Sequence, residues 1–110
     1  MGRWPVPRDE IEVAWAAGFF DGEGCVTTNG RRTLRVQVSQ KRGEPLERLA
    51  RTFSDIGGNI QSPKPNGVRD WVVYGPKAER VIERMWPYLS APKREQFERV
   101  VSELEQRKAA

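Results

Sequence analysis

From Thr33 to Ser39 the chain reads Thr-Leu-Arg-Val-Gln-Val-Ser, polar and apolar residues alternating without a break. Successive side chains of an extended strand point to opposite faces. The pattern is therefore a half-buried strand, with Leu34, Val36 and Val38 on one side and Thr33, Arg35, Gln37 and Ser39 on the other. The apolar face has to be covered, and the polar one stays in water. At 110 residues the chain is one domain, 1–110, so the cover comes from the same chain. Asn29-Gly30 ahead of the strand marks a hairpin turn, with a first strand from about Cys25 to Thr28. A two-residue turn pairs Cys25 with Leu34 and a three-residue loop pairs Val26 with Leu34; the second buries valine and is the register expected.

The remaining periodicities supply the cover. Asp9 and Glu12 form a helix-start pattern, and Ile11, Ala14, Trp15 and Gly18 follow at helical spacing, which predicts a helix from about Asp9 to Phe20 that ends near Gly22 to Gly24. Pro45, then Leu46, Leu49, Ala50, Phe53 and Ile56, give a second amphipathic helix stopped by Gly57-Gly58. Asn59 to Ser62 and Arg69 to Tyr74 read as a second hairpin around Pro63 to Gly67, with Trp71 and Val73 toward the core. Pro76 opens a third helix with Ala78, Val81, Ile82 and Met85 inward, and Pro87 closes it. A last helix carries Phe97, Val100, Val101 and Leu104. The fold class is α+β, with helices on one face of a four-stranded antiparallel sheet.

Composition narrows the chemistry. Zero histidines exclude a histidine general base, a Ser-His or Cys-His nucleophile pair and an HExxH zinc site. The lone Cys25 excludes an internal disulfide framework and a cysteine zinc cluster, so a metal here binds through oxygen, which favours Mg²⁺ or Ca²⁺. No apolar run approaches the roughly 20 residues of a membrane span, and Met1 to Pro7 lacks a signal-peptide core, so an intracellular protein, cytoplasmic or organellar and not secreted, is expected.

Nineteen Lys and Arg against 15 Asp and Glu give a net charge of +4. Thr27 to Arg42 holds Arg31, Arg32, Arg35, Lys41 and Arg42 and no acid, whereas Arg8 to Glu23 holds five acids and one base. A charge run is ordinarily a solvated face. Here it coincides with the alternating strand, and a face of Arg, Gln, Thr and Ser is the chemistry that reads base edges in a major groove wide enough for a β-ribbon.

The first helix runs into Ala16-Ala17-Gly18-Phe19-Phe20-Asp21-Gly22-Glu23-Gly24. Ala14, Ala17 and Gly18 lie near one helical face, and small residues let a second helix approach at the short end of the usual distance, roughly 8–10 Å. Two copies packed about a twofold axis bring both Asp21-Gly22-Glu23 ends together. Carboxylate and carbonyl oxygens suit Mg²⁺ beside phosphate.

This segment resembles the LAGLIDADG motif of homing endonucleases, position for position, ending in the DGEG variant. It departs at Ala16, where leucine is usual, and at Glu23, where many members carry Asp; neither departure removes a carboxylate. The run Val36 to Lys41 and Lys93 after Pro87-Tyr88-Leu89 are similar to the single-motif homodimeric members, and the element order matches their αββαββα core with its saddle-shaped sheet.

The resemblance implies an acidic metal ligand at Glu23 with the Gly22 carbonyl beside it, a water-organising Gln40, and Lys93 near the scissile phosphate with Arg94 as its rival. Asp21 is implied to be structural, at a dimer interface with Ala14, Ala17 and Gly18. The expected DNA-binding set is Thr27, Arg31, Thr33, Arg35, Gln37 and Ser39, with Gln61, Lys64 and Asp70, and with Arg32, Lys41 and Arg42 on phosphates. The implied activity is intron-homing, Mg²⁺-dependent cleavage of double-stranded DNA at a long pseudo-palindromic site, leaving short 3′ overhangs. Mn²⁺ or Ca²⁺ is expected to substitute for Mg²⁺ in binding. A homodimer is implied as partner, with neither a membrane nor a small-molecule substrate. The alternative on the same fold is an RNA maturase or DNA-binding repressor that no longer cleaves.

Overall fold

A computed structural model describes residues 8–30 and 32–109. The elements are α1 (Arg8–Glu23), β1 (Gly24–Asn29), β2 (Thr33–Gln40), α2 (Gly43–Thr52), β3 (Asn59–Ile60), β4 (Arg69–Tyr74), α3 (Gly75–Met85), a 3₁₀ turn (Trp86–Tyr88) and α4 (Ala91–Ala109). The strands form one antiparallel sheet in the order β1-β2-β4-β3. No helix among the described residues is long and apolar enough to cross a membrane.

The alternation read in β2 is the alternation observed: Leu34, Val36 and Val38 are buried and their neighbours half-exposed. These three, with Val26, Trp71 and Val73, form one core with residues from all four helices. Val72, whose side chain points the other way, is buried but stands outside that core. The helices therefore cover one sheet face only. The inward set predicted for α3 is the buried set. In α2, Leu46 and Leu49 are buried, and Phe53 and Ile56 join them from the turns that follow. Gly58 is required where it stands: its φ is +107°, and a Cβ there would come within 2.6 Å of the Trp71 ring.

Three expectations need correction. The hairpin register pairs Val26 with Val36 and Thr28 with Leu34, two residues beyond the register expected. A shift of two keeps every side chain on its face, so the hydrophobic pattern could not distinguish the pairings. The strands run to Asn29 and from Thr33, with Gly30 at φ +71° after the first. Secondly, β3 is two residues long; one further bond, from the Gln61 amide to the Asp70 carbonyl at 2.8 Å, extends the pairing before Pro63 interrupts it. Thirdly, α1 turns a different face inward. Ile11 is 50% exposed and Gly18 is exposed, while Ala16, Ala17 and Phe20 are fully buried with Val13 packed beside them. The row at 13, 16, 17 and 20 contains the phenylalanine, and burying that ring outweighs burying Ile11 on the opposite side.

Two surface ion pairs tie α1 to α2 and the turn after α2 to α3. Arg48 donates to Glu12 at 2.7 and 3.3 Å, linking α2 to α1. Arg84 donates to both carboxylate oxygens of Asp55 at 2.8 Å, and its guanidinium pulls that carboxyl down to about 2.

The junction of α1 and β1 has no linker: the helix ends at Glu23 and the strand begins at Gly24. The Phe20 ring lies where a side chain on residue 24 would be, 2.0 Å from a Cβ built there. Gly24→Ala is expected to displace Phe20 from the core and to destabilise the protein by about 1–3 kcal/mol, measured by urea denaturation. Unchanged stability would show that the ring can move aside without cost.

Candidate functional site

The uncovered sheet face carries the polar row. Thr27, Thr33, Arg35, Gln37 and Ser39 are all half-exposed on it. Register places them in cross-strand layers: Thr27, Arg35 and Tyr74; Cys25, Gln37, Val72 and Asn59; Ser39 and Asp70. Arg32 is exposed at the hairpin tip, and Lys41 and Arg42 are exposed at the other end of β2, where the chain turns into α2. Gln61 and Lys64 stand on the β3–β4 connection. Arg31 lies outside the described residues.

One side chain in this set is not a surface group. Asp70 is 3% exposed, so it is not placed to contact a base edge as expected. It accepts a hydrogen bond from Ser39 Oγ at 2.5 Å and an ion pair from Lys64 Nζ at 3.2 Å. Ser39 Oγ in turn accepts from Gln37 Nε2 at 3.1 Å. Burial alone would raise the Asp70 pKa, but the Ser39 hydrogen bond and the Lys64 charge outweigh it, so the carboxyl lies below the ordinary range. The role of Asp70 is to organise: it draws Lys64 onto the sheet face and orders the Gln37-Ser39 pair. Arg35 Nε is buried beside this network with no hydrogen-bond partner among the described residues.

The acidic end of α1 lies at one end of the same sheet. α1 has no basic residue in its last turn, so its free carbonyls sit beside the Asp21 and Glu23 carboxylates with no cation on the helix to balance them. Asp21 is occupied: it accepts from the Ser90 amide at 3.1 and 3.2 Å and from Ser90 Oγ at 3.0 Å, which ties the helix end to the residue preceding α4. Gly22 and Glu23 are exposed.

Lys93, on the first turn of α4, donates to the Gly24 carbonyl at 2.8 Å with its ammonium 5.4 Å from the centre of the Phe20 ring. Sequence position 93 is thus beside position 23 in space. Its rival Arg94 points elsewhere, donating twice to the Trp86 carbonyl at 3.1 and 2.7 Å. Gln40, the last residue of β2, is half-buried two residues beyond Val38, the partner of Gly24 in register, and so stands at the same sheet end.

The sequence reading missed Gln96, whose Oε1 accepts from the Val26 amide at 3.1 Å. Its one local signal is its place three residues after Lys93 on the same helix face.

Among the described residues no three Asp, Glu, His or Cys side chains converge on one point. What a single chain offers a cation is the Glu23 carboxylate, the adjoining helix-end carbonyls and a negative local field, a donor set that fits a hard, oxygen-seeking ion such as Mg²⁺.

The outward face of α1 is small and apolar. Ile11, half-exposed Ala14, and exposed Gly18 and Gly22 share it, and a Cβ on either glycine would meet nothing within 4 Å. Neither glycine is needed by packing within the chain, although glycine in a helix costs about 1 kcal/mol relative to alanine. The sequence placed Ala17 on this surface with Ala14 and Gly18, but it is fully buried in the core of its own chain.

No protein-family model matches the sequence, and no curated protein matches it. Solved structures do match. The homing endonuclease I-CvuI in complex with the I-CreI target in the presence of Mg superposes with a TM-score of 0.72 at 24% identity, over 91% of this chain and 68% of that one. I-CvuI with its own target in the presence of Ca gives 0.70 at 23%, with the same coverage. The LAGLIDADG meganuclease I-AabMI bound to uncleaved DNA gives 0.66 at 23%, over 87% of this chain and 37% of that one. The chain has the fold of the LAGLIDADG homing endonucleases.

Proposed function

We propose that the protein is a site-specific, divalent-metal-dependent endonuclease of double-stranded DNA that acts as a homodimer. The observation that carries this reading is one juxtaposition: an uncovered sheet face of Arg, Gln, Thr and Ser ends at an exposed residue, Glu23, with Lys93 bonded to the carbonyl of the next residue, Gly24. The solved structures that share the fold were obtained as DNA complexes, which supports the same reading.

The sheet face fits the major groove, where Arg35, Gln37, Thr27 and Thr33 reach base edges. Arg32, Lys41, Arg42 and Lys64 supply phosphate contacts, whose contribution falls steeply with salt. Arg31 joins this set from the sequence reading alone. A second copy packs along Ile11, Ala14, Gly18 and Gly22 of α1, which sets two Glu23 carboxylates side by side and demands a pseudo-palindromic site. Glu23 and the Gly22 carbonyl are the residues that would hold Mg²⁺, which when bound polarises a phosphate and makes a water more acidic. Lys93 places positive charge where the transition state gains negative charge, and Gln40 orients water at the same sheet end. Short 3′ overhangs follow from the family resemblance.

The test is cleavage of a randomised duplex library in Mg²⁺ with sequencing of the ends. Glu23→Gln is expected to reduce cutting by more than about 100-fold, beyond what the loss of a ligand's supporting partner costs, while duplex binding in Ca²⁺ persists. Retained cleavage would remove Glu23 from the mechanism. Selective binding without Glu23-dependent breaks would favour the maturase or repressor role.

A second expectation concerns Asp70. Its pKa is lower folded than unfolded, so its contribution is fully present above the ordinary carboxylate pKa and is lost as pH falls through the folded value. Asp70→Asn should cost about 1–3 kcal/mol at pH 7. In denaturation at decreasing pH the difference should narrow below about pH 4. A pH-independent difference would contradict the charge argument.

A further inference from the structure

The stretch around Glu23 is bracketed by α4 and the residue that precedes it. On its N-terminal side Asp21 is held by Ser90; on its C-terminal side the Gly24 carbonyl is held by Lys93 and the Val26 amide by Gln96. The Glu23 side chain is exposed and makes no hydrogen bond or ion pair with any described residue. Its position is thus set by its neighbours.

β1 is an edge strand, so the outward Val26 N–H has no partner strand, and because Val26 is buried beneath α4 it takes its acceptor from Gln96. Residues 24 and 26, two apart, present their backbone groups to the same side, and Lys93 and Gln96, three apart on one helix face, meet them there as a neighbouring strand would. Ordering a long glutamine side chain costs entropy, roughly 1.5–2 kcal/mol when it is fully immobilised. What the contact adds is placement of the first residues of β1 against α4, over a sequence separation of 70 residues.

We propose that Gln96 is a positioning residue for the metal-holding carboxylate: by fixing Val26 it sets where β1 begins, and so where Glu23 stands relative to Lys93. This rests on the endonuclease reading of the same site. Gln96 touches neither DNA nor metal in this scheme; it acts through the backbone from Val26 to Glu23.

The experiment compares the wild type with Gln96→Asn, one methylene too short to reach, and Gln96→Glu, which keeps an acceptor of the same reach. Three quantities are read: amide hydrogen exchange at Val26 in the free protein, the Mg²⁺ concentration for half-maximal cleavage of a duplex selected by the wild type, and affinity for that duplex in Ca²⁺. In Gln96→Asn, exchange at Val26 should be about fivefold faster or more, the factor for one hydrogen bond, and the Mg²⁺ midpoint about tenfold higher. Affinity in Ca²⁺ should not change, and Gln96→Glu should restore exchange and midpoint. A general loss of stability would speed exchange across the core, so a change confined to β1 identifies placement. Unchanged exchange, an unchanged midpoint, or affinity falling together with cleavage would overturn the inference. If the wild type cuts no duplex, the endonuclease reading falls, and the role of Gln96 falls with it.

Discussion

The contact between the Phe20 ring and the backbone of Gly24 governs this structure. A helix that passes into a strand with no linker brings its last buried side chain onto the strand's first residue, and only glycine leaves room for the ring. With Phe20 fully buried, the helix axis is fixed against the core and β1 is fixed beneath it. Glu23, exposed between them, is left at the rim. Lys93 reaches the Gly24 carbonyl because that carbonyl is held there. Packing and chemistry thus share one set of atoms.

The sheet divides its labour by the same logic. A period of two makes the apolar underside and the polar upper face inseparable: Val36 and Val38 cannot enter the core without sending Arg35, Gln37 and Ser39 to the open side. That open face is partly ordered before any ligand arrives. A buried carboxylate, Asp70, fixes Ser39 and draws in Lys64, and Ser39 fixes Gln37. Groups already ordered lose less side-chain entropy on binding, which favours selective recognition in the proposed DNA complex.

Most elements were legible because their signals are local. The alternation of β2, the inward row of α3, and the glycine pair after α2 each determine their own structure over a few residues, and in α4 Val100 and Leu104 of the expected row are buried while Val101 is only half-buried. The failures share a cause as well. α1 carries apolar or small residues on two sides, one row through Ile11, Ala14 and Gly18 and the other through Val13, Ala17 and Phe20, and periodicity alone does not choose between them. Hairpin register was ambiguous by two because a shift of two preserves every face. Asp70 reads as a polar residue on a wet face, and its burial depends on Ser39 and on Lys64 in a separate loop. Gln96 depends on Val26, 70 residues away, and no local pattern announces such a contact. Glu23 and Lys93 were singled out through family resemblance; in the structure Lys93 bonds the Gly24 carbonyl while Arg94 bonds the Trp86 carbonyl.

In the proposed dimer the outward face of α1 pairs two copies so that two acidic ends meet. Cys25 is the chain's one cysteine, exposed and two residues from Glu23, and so a native site for a spin label. Dipolar spectroscopy on the labelled protein reads the distance between two such residues directly. Pairing along α1 requires a single short, narrowly distributed distance that disappears on dilution with unlabelled protein. No dipolar coupling at concentrations that support cleavage, or a broad long distance, would contradict it.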